Sequence, residues 1–481
     1  MRKFALILTG FLVALSSSLK AQNLNWSEVA SGGWKAEVGN SEAYDLFIAA
    51  SIASRLPALS EINQVQFVFN KSSVSSALHK DYATLQTPFE RGDQLFGFGR
   101  NIAILHASDL PAQKDFEKEV VAVLQDEILL RAKAALNERP ITVTAFVSQR
   151  SAGGIHDFFS EGDYWWPDPD DPDGPYIQRD GQTNPNNFVE HRSAMIRLSQ
   201  IVGTLASAYI ITKEERFAAQ AFSHARAWFA DTSTMMNPSL NFAQAIKGRA
   251  TGRGIGIIDT IHLIEVAQGL SRMENSSSAD KQTLIRIKDW FSKYLVWLTS
   301  HRYGMDEMNA KNNHGTCWVM QVAAFAKFVG NDKLIKFCKE RFKTVLLPNQ
   351  MADDGGFPEE LRRTKPYGYS LFNLDAMVVI CKILSDNGDN LWRYQTQDGK
   401  SIEKGIRFLY PYVQNKGNWP FKADVMYWEN WPVAHPLLLF SAIEFKNRAW
   451  FDTWVSLDHF PIVGEVVRNL PIRNPIIWLE E

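Results

Sequence analysis

From about residue 190 onward, apolar residues recur at three- and four-residue spacing, interrupted by short polar or Gly/Pro breaks. That periodicity predicts successive amphipathic helices over 193–211, 214–228, 256–273, 279–298, 315–329, 332–347, 371–384, 401–412 and 432–445. Strand-like alternation is nearly absent. Helices joined by short loops bury one face against their neighbours, so the chain is expected to grow into an all-α solenoid or a closed toroid. No repeat of fixed length accompanies the helices, which disfavours a tetratricopeptide-type array.

Upstream the pattern weakens. Stretches 42–56 and 116–136 read as helices on either side of a polar middle at 71–99, so 22–140 is expected to be an N-terminal helical extension packed on a body formed by 141–481. Residues 150–190 form a loop-rich insertion, far longer than an ordinary connection. Its Tyr164, Trp165, Trp166, Tyr176 and Phe188 would be driven to pack, so the insertion is expected to be ordered and to line a cleft.

Composition narrows the class. Arg2 and Lys3 precede an apolar run at 4–15, and small or polar residues follow as far as Ala21; this reads as a signal peptide over 1–21, cut after Ala21. The run is shorter than the roughly 18 residues that span a bilayer, and no later stretch reads as both long and uncharged enough. A periplasmic or secreted protein without a membrane anchor is the expectation. The formal net charge is −2, and removal of Arg2, Lys3 and Lys20 makes it more negative, so nothing favours a nucleic-acid partner. Cys317, Cys338 and Cys381 fall within apolar helical patterns and are expected to be buried thiols rather than a disulfide framework.

Two segments carry candidate chemistry. Lys311-Asn312-Asn313-His314-Gly315-Thr316 opens one predicted helix, and residues 359–370 bring Arg362, Arg363, Lys365, Tyr367 and Tyr369 to the start of another. Together they suit β-elimination across C4–C5 of a uronate. Loss of the C5 proton requires the sugar carboxylate to be neutralised while an enolate-like intermediate forms. Asn313 and an arginine are suitable donors to that carboxylate, and Tyr369 and His314 are suitable proton-transfer groups. A phenol acts as a base only where positive charge stabilises its phenolate, which Arg362, Arg363 or a protonated His314 would supply.

These residues resemble the helical-toroid alginate lyases, closest to polysaccharide lyase family 38, which acts on alginate or glucuronan. In mannuronate lyases of this shape an Asn-His pair opens a helix and an arginine lies seven residues before the catalytic tyrosine; Asn313-His314 and the Arg362-to-Tyr369 spacing fit. YWWPDP, GPYIQRDGQTNP, TGRGIGIIDT, NNHGTCWVMQVAAFA and KPYGYSLFNLDAM carry the similarity over about residues 140–445. The resemblance implies an (α/α) toroid, an incomplete α/α barrel. It also implies a lyase that cleaves a 1,4-linked uronate polymer, alginate containing mannuronate or else glucuronan, to 4,5-unsaturated oligosaccharides. In that reading Asn313 and Arg362 or Arg363 neutralise the carboxylate, His314 assists at C5 and Tyr369 exchanges protons.

Trp165, Trp166, Arg253, His191, Tyr367 and Asn312 are further candidates for contacting sugar. The acidic run 168–174 lacks the calcium-loop spacing and no zinc-type pattern occurs, so neither metal nor cofactor is implied. A glycoside hydrolase on a similar toroid is the main alternative and would need paired carboxylates from Asp353, Asp354, Glu359, Glu360, Asp424 or Glu429. β-D-Mannuronate and β-D-glucuronate share configuration at C4 and C5, so one tyrosine could serve a syn elimination of either. Anti elimination of guluronate would suit His314 as base and Tyr369 as acid.

Overall fold

The computed structural model describes residues 94–98, 101–105 and 115–480. The chain divides into two units, Met1–Asp115 and Phe116–Glu481. In the first unit, β1 (Gln94–Phe98) and β2 (Asn101–Leu105) pair antiparallel, with Gln94 opposite Leu105 and Phe98 opposite Asn101. This ladder lies within the stretch 22–140 that was expected to be a helical extension, between its two helix candidates. The predicted signal peptide and the helix at 42–56 lie outside the described residues.

The second unit begins earlier than residue 141, because the helix anticipated at 116–136 belongs to it. This is α1 (Phe116–Ala135), which buries a stripe at four-residue spacing, Phe116, Val120, Leu124, Ile128 and Ala132. The stripe packs on α2 (Glu190–Thr212), which also touches α3 (Glu215–Phe229) and α4 (Leu263–Arg272). Then follow α5 (Lys281–Ser300), α6 (Arg302–Met308), α7 (Asn313–Val329) and α8 (Asp332–Arg341). The last long elements are α9 (Pro366–Leu384), α10 (Ile402–Gln414), α11 (Pro436–Phe445) and α12 (Arg448–Ser456). Neighbour contacts run α2 to α4, α4 to α7, α7 to α9 and α9 to α11, an inner ring. Four of these helices, α2, α7, α9 and α11, are backed by the next in sequence, α3, α8, α10 and α12, while α5 packs on α3 and α7. The architecture is an (α/α) toroid.

Burial explains why the two layers differ in sequence. In α9 only Lys382 escapes burial, so the helix is enclosed around its whole circumference, whereas α10 keeps a polar outer face. Among the described residues, Glu190–Thr212 and Pro366–Leu384 are long and apolar enough to cross a membrane by length and composition, though both carry charged residues. Of their apolar windows 67% and 94% is buried inside the protein, and that burial accounts for the composition. All three cysteines are buried and free.

The insertion at 150–190 is ordered. It contributes β3 (Phe159–Glu161), β4 (Trp165–Trp166) and β5 (Ile177–Gln178); β4 pairs antiparallel with β5, and β3 runs parallel to β6 (Phe242–Ala245).

Candidate active site

Both α7 and α9 begin at one cleft of about 400 Å3, lined by Asn312, Asn313, His314, Arg363, Tyr369, Phe372, Tyr164, Trp165, Asp163, Gln178, Asp180, Gln244, Arg253 and Arg468 among others. The first turns of these helices leave N–H groups that their own helices cannot satisfy, and distant carboxylates supply partners. Glu360 accepts from the backbone N of Asn313 at 2.6 Å and from its Nδ2 at 2.8 Å. Asp424 accepts from the N–H groups of Tyr367 and Gly368, both at 2.9 Å, beside Pro366 at the first turn of α9, where its missing N–H costs nothing. Asn312 stands at the cap position of α7 and makes no side-chain cap bond.

Asn313 and His314 are therefore the first two residues of α7, and each is held from behind. Asn313 is tied to Glu360 as above. His314 Nδ1 lies 2.8 Å from Oε1 of Glu307, whose side chain is fully buried. Burial pushes the Glu360 carboxyl up to about 7 against the opposing pull of its two Asn313 bonds. The folded-state value is above the unfolded one, so the protonated form is the one that folding favours. Glu360 then contributes stability below about pH 4.5 that is lost as pH rises through about 7, on the order of 3 kcal/mol. Replacement by Gln should remove that component. The melting temperature of the wild type relative to Glu360→Gln is expected to fall between pH 4.5 and 7; a constant difference across that range would refute the assignment.

Tyr369, 8% exposed, sits among cations and another phenol. Its hydroxyl lies 2.6 Å from that of Tyr164. The Arg363 guanidinium stands 4.8 Å from its ring centroid and the Lys365 ammonium 5.4 Å. Burial pushes the Tyr369 phenol well up, Tyr164 adds to the shift and Arg363 opposes it, so the resting phenol is protonated. Lys365 is buried against Glu465, with its ammonium 4.9 Å from the Tyr164 ring.

Arg363, not Arg362, reaches the cleft. Its guanidinium binds Asp180 through Nη2 at 2.8 Å and Nε at 3.3 Å, and Thr364 Oγ1 donates to the same carboxylate at 2.9 Å. Gly181 lets the chain approach there. It has φ +75°, and an added Cβ would stand 2.3 Å from Thr364 Oγ1. Arg362 follows the one-turn helix Pro358–Leu361, pairs with Glu359 three residues back and leaves 69% of its side chain exposed, because that spacing turns both onto the solvent face.

Of the expected sugar contacts, Trp165, Arg253 and Asn312 line the cleft. Arg253 donates from Nε to the Gln244 carbonyl at 2.8 Å and lies 5.8 Å from the Trp165 ring; burial lowers it to about 10. Three expectations are corrected. His191 is buried away from the cleft; its Nδ1 accepts from Phe159 N at 2.9 Å, so Nε2 donates to the Phe146 carbonyl at 3.1 Å, and burial keeps the ring uncharged. Tyr367 is fully buried, donates to the Tyr412 carbonyl and packs edge-on against Trp419 and Trp428. Trp166 does not line the cleft; its Nε1 donates to the Gln182 carbonyl and Arg179 lies over its ring.

Several cleft groups escaped the sequence reading. Asp180 stands within the GPYIQRDGQTNP motif, a signal that was available. Tyr164 was visible only as a member of an aromatic cluster, and Lys365, buried beside its ring, as a member of a basic one. Arg468 follows the family-like stretch and carries no motif; it binds Asp163 at 3.0 Å, as Arg192 does at 2.7 Å. Burial works to raise the Asp163 carboxyl, but Arg192 and Arg468 outweigh it and hold it below the usual range. Burial likewise acts to raise Asp180, and Arg363 outweighs it. Neither can serve as a proton-donating acid. Asp353, Asp354, Glu359, Glu360, Asp424 and Glu429 are not among the residues that line this cleft. Among the described residues, no group of three or more His, Cys, Asp or Glu side chains could hold a metal ion.

The family described as alginate lyase matches residues 142–419. An alginate lyase from Bacteroides ovatus is 31% identical, with a TM-score of 0.66 over 75% of this chain and 94% of its own. A histidine-to-alanine variant of alginate lyase A1-III, the enzyme of Sphingomonas species A1, complexed with a tetrasaccharide, is 14% identical with a TM-score of 0.50. That match spans 78% of this chain and 99% of the other, and it bears on the fold alone. No curated protein matches.

Proposed function

The chain belongs to the alginate lyase family, and from that premise we propose that it is an exported polysaccharide lyase that cleaves alginate at mannuronate residues by syn β-elimination. The observation that carries this reading is that Asn313, His314, Arg363 and Tyr369, drawn from distant stretches of chain, line one cleft.

The sugar carboxylate lies between the Arg363 guanidinium and the Asn313 amide, at the positive end of α7. His314 Nε2 takes the C5 proton, and the electron pair of the C5–H bond becomes the C4–C5 double bond as the C4–O4 bond breaks. Tyr369 gives its proton to O4, in keeping with a phenol that burial holds protonated. The resulting phenolate is met by Arg363 and by the Tyr164 hydroxyl, with Lys365 beyond. His314 and Tyr369 stand in the first turns of neighbouring helices and both line the cleft. Mannuronate, whose C4 and C5 configuration glucuronan shares, is favoured over guluronate by the Asn313-His314 pair and the arginine-to-tyrosine spacing, which resemble those of mannuronate lyases. Trp165, with Arg249 at 5.5 Å and Arg253 at 5.8 Å from its ring, offers a stacking face with cations for an adjoining uronate.

A panel of polymannuronate, polyguluronate and glucuronan, read at the ultraviolet absorbance of the new double bond, tests the reading. Polymannuronate is expected to be cleaved fastest, by a mature protein beginning at Gln22. Reducing ends formed without that absorbance, or turnover of polyguluronate alone, would overturn it.

A further inference from the structure

We infer that Glu307 is a positioning residue for the elimination, holding His314 so that the imidazole presents an unprotonated Nε2 to the cleft. The inference deepens the role given to His314 above and rests on it.

The geometry carries the assignment. Glu307 lies on α6, packed against the 3-10 helix Gly254–Thr260 and against α7, and no part of its side chain reaches solvent. Its Oε1 is 2.8 Å from His314 Nδ1. Among the described residues its buried Oε2 has no hydrogen-bond partner, so the histidine is the one side chain that hydrogen-bonds this carboxyl. A carboxylate can only accept. Nδ1 must then carry the proton, and in the neutral ring Nε2 is left with its lone pair free. His314, with 18% of its side chain exposed, lines the cleft and so offers that nitrogen to substrate. Removal of the C5 proton makes the ring an imidazolium, which the buried carboxylate stabilises at the moment it forms; carboxylate–imidazole pairs in hydrolytic triads act in the same way.

Other charged and titratable groups face Glu307. Asp259, on the 3-10 helix, opposes its ionisation, and Arg253 beside that helix favours it. Tyr294 on α5 and Cys317 on α7 also face it; burial keeps both uncharged. Burial pushes the Glu307 carboxyl up and His314 pulls it down. Burial has the larger effect, and among the groups that oppose it the histidine is the strongest.

Glu307→Gln conserves shape and removes the charge. Its kcat on the best substrate is expected to fall by about 10²-fold, as for groups that orient a functional imidazole, with KM changed little and the pH profile of kcat altered. Combined with His314→Ala, it should add no further loss, because Glu307 acts through the imidazole. Wild-type kcat and pH profile in Glu307→Gln, or an additive loss in the double variant, would overturn the inference. Should Glu307→Gln fail to fold, nitrogen NMR of histidine-labelled wild-type enzyme decides: His314 is expected as the Nδ1–H tautomer, and an Nε2–H tautomer overturns the assignment. Full activity of His314→Ala alone would instead defeat the role of His314 and leave the tautomer result standing.

Discussion

Tyr369→Phe is expected to lower kcat by about 10³-fold while the protein remains folded and still binds polymannuronate. The substitution removes one oxygen from a residue whose ring is already buried, so packing against the core is kept. The Tyr164 hydroxyl loses its partner, a cost of about 1 kcal/mol that the toroid can absorb. The Arg363 guanidinium, 4.8 Å from the ring centroid, keeps its neighbour, and so the carboxylate-binding side of the cleft is preserved. What disappears is the proton for O4. The leaving sugar would then depart as an alkoxide or wait for water, and kcat rather than KM records the loss. Single-turnover formation of the unsaturated product and a melting curve together check this; product formation at the wild-type rate would remove Tyr369 from the mechanism.

The second large effect separates two adjacent arginines. Arg363→Ala is expected to lower kcat/KM by about 10²–10³-fold, whereas Arg362→Ala should leave it near the wild-type value. Arg363 does two things at once. It supplies positive charge where the enolate-like intermediate forms, and it neutralises Asp180, which would otherwise face the incoming uronate as an unpaired anion. Arg363→Lys should recover part of the loss, since a point charge remains but the two-pronged contact with Asp180 does not. Arg362 contributes a solvent-exposed pair with Glu359, of the kind worth under about 1 kcal/mol. Steady-state kinetics of the three variants decide, and an inactive Arg362→Ala beside an active Arg363→Ala would reverse the assignment.

That pair of arginines marks a limit of reading along the chain. Seven residues separate Arg362 from Tyr369, which matches the family spacing, but spacing says nothing about direction. Arg362 leaves a one-turn helix on the side of Glu359, and Arg363 leaves it toward Asp180, whose position depends on how the 150–190 insertion folds back. His191 misled for a similar reason. It follows the aromatic loop in sequence, yet the first turn of α2 points it at the backbone of Phe146 and Phe159, a contact no local pattern foretells. Tyr367 sits two residues from the Tyr369 phenol; on a helix of 3.6 residues per turn that offset points it away from the cleft, into the indoles of Trp419 and Trp428.

The periodicity of apolar residues was enough to establish a helical protein, its approximate helix limits and two chemically charged helix starts, because each of these depends on neighbours a few residues apart. The Asn-His pair, the basic segment and the tyrosine were visible by the same local reasoning. Tertiary structure alone decided that α7 and α9 begin at one cleft and that Glu307 and Glu360 stand behind the pair. It also decided that Tyr164 touches Tyr369 and that Arg363 faces inward. Those facts depend on contacts between residues far apart in the chain. Such contacts arise when apolar faces pack and leave the polar ends of different helices side by side, and that arrangement is set by the packing of the whole ring.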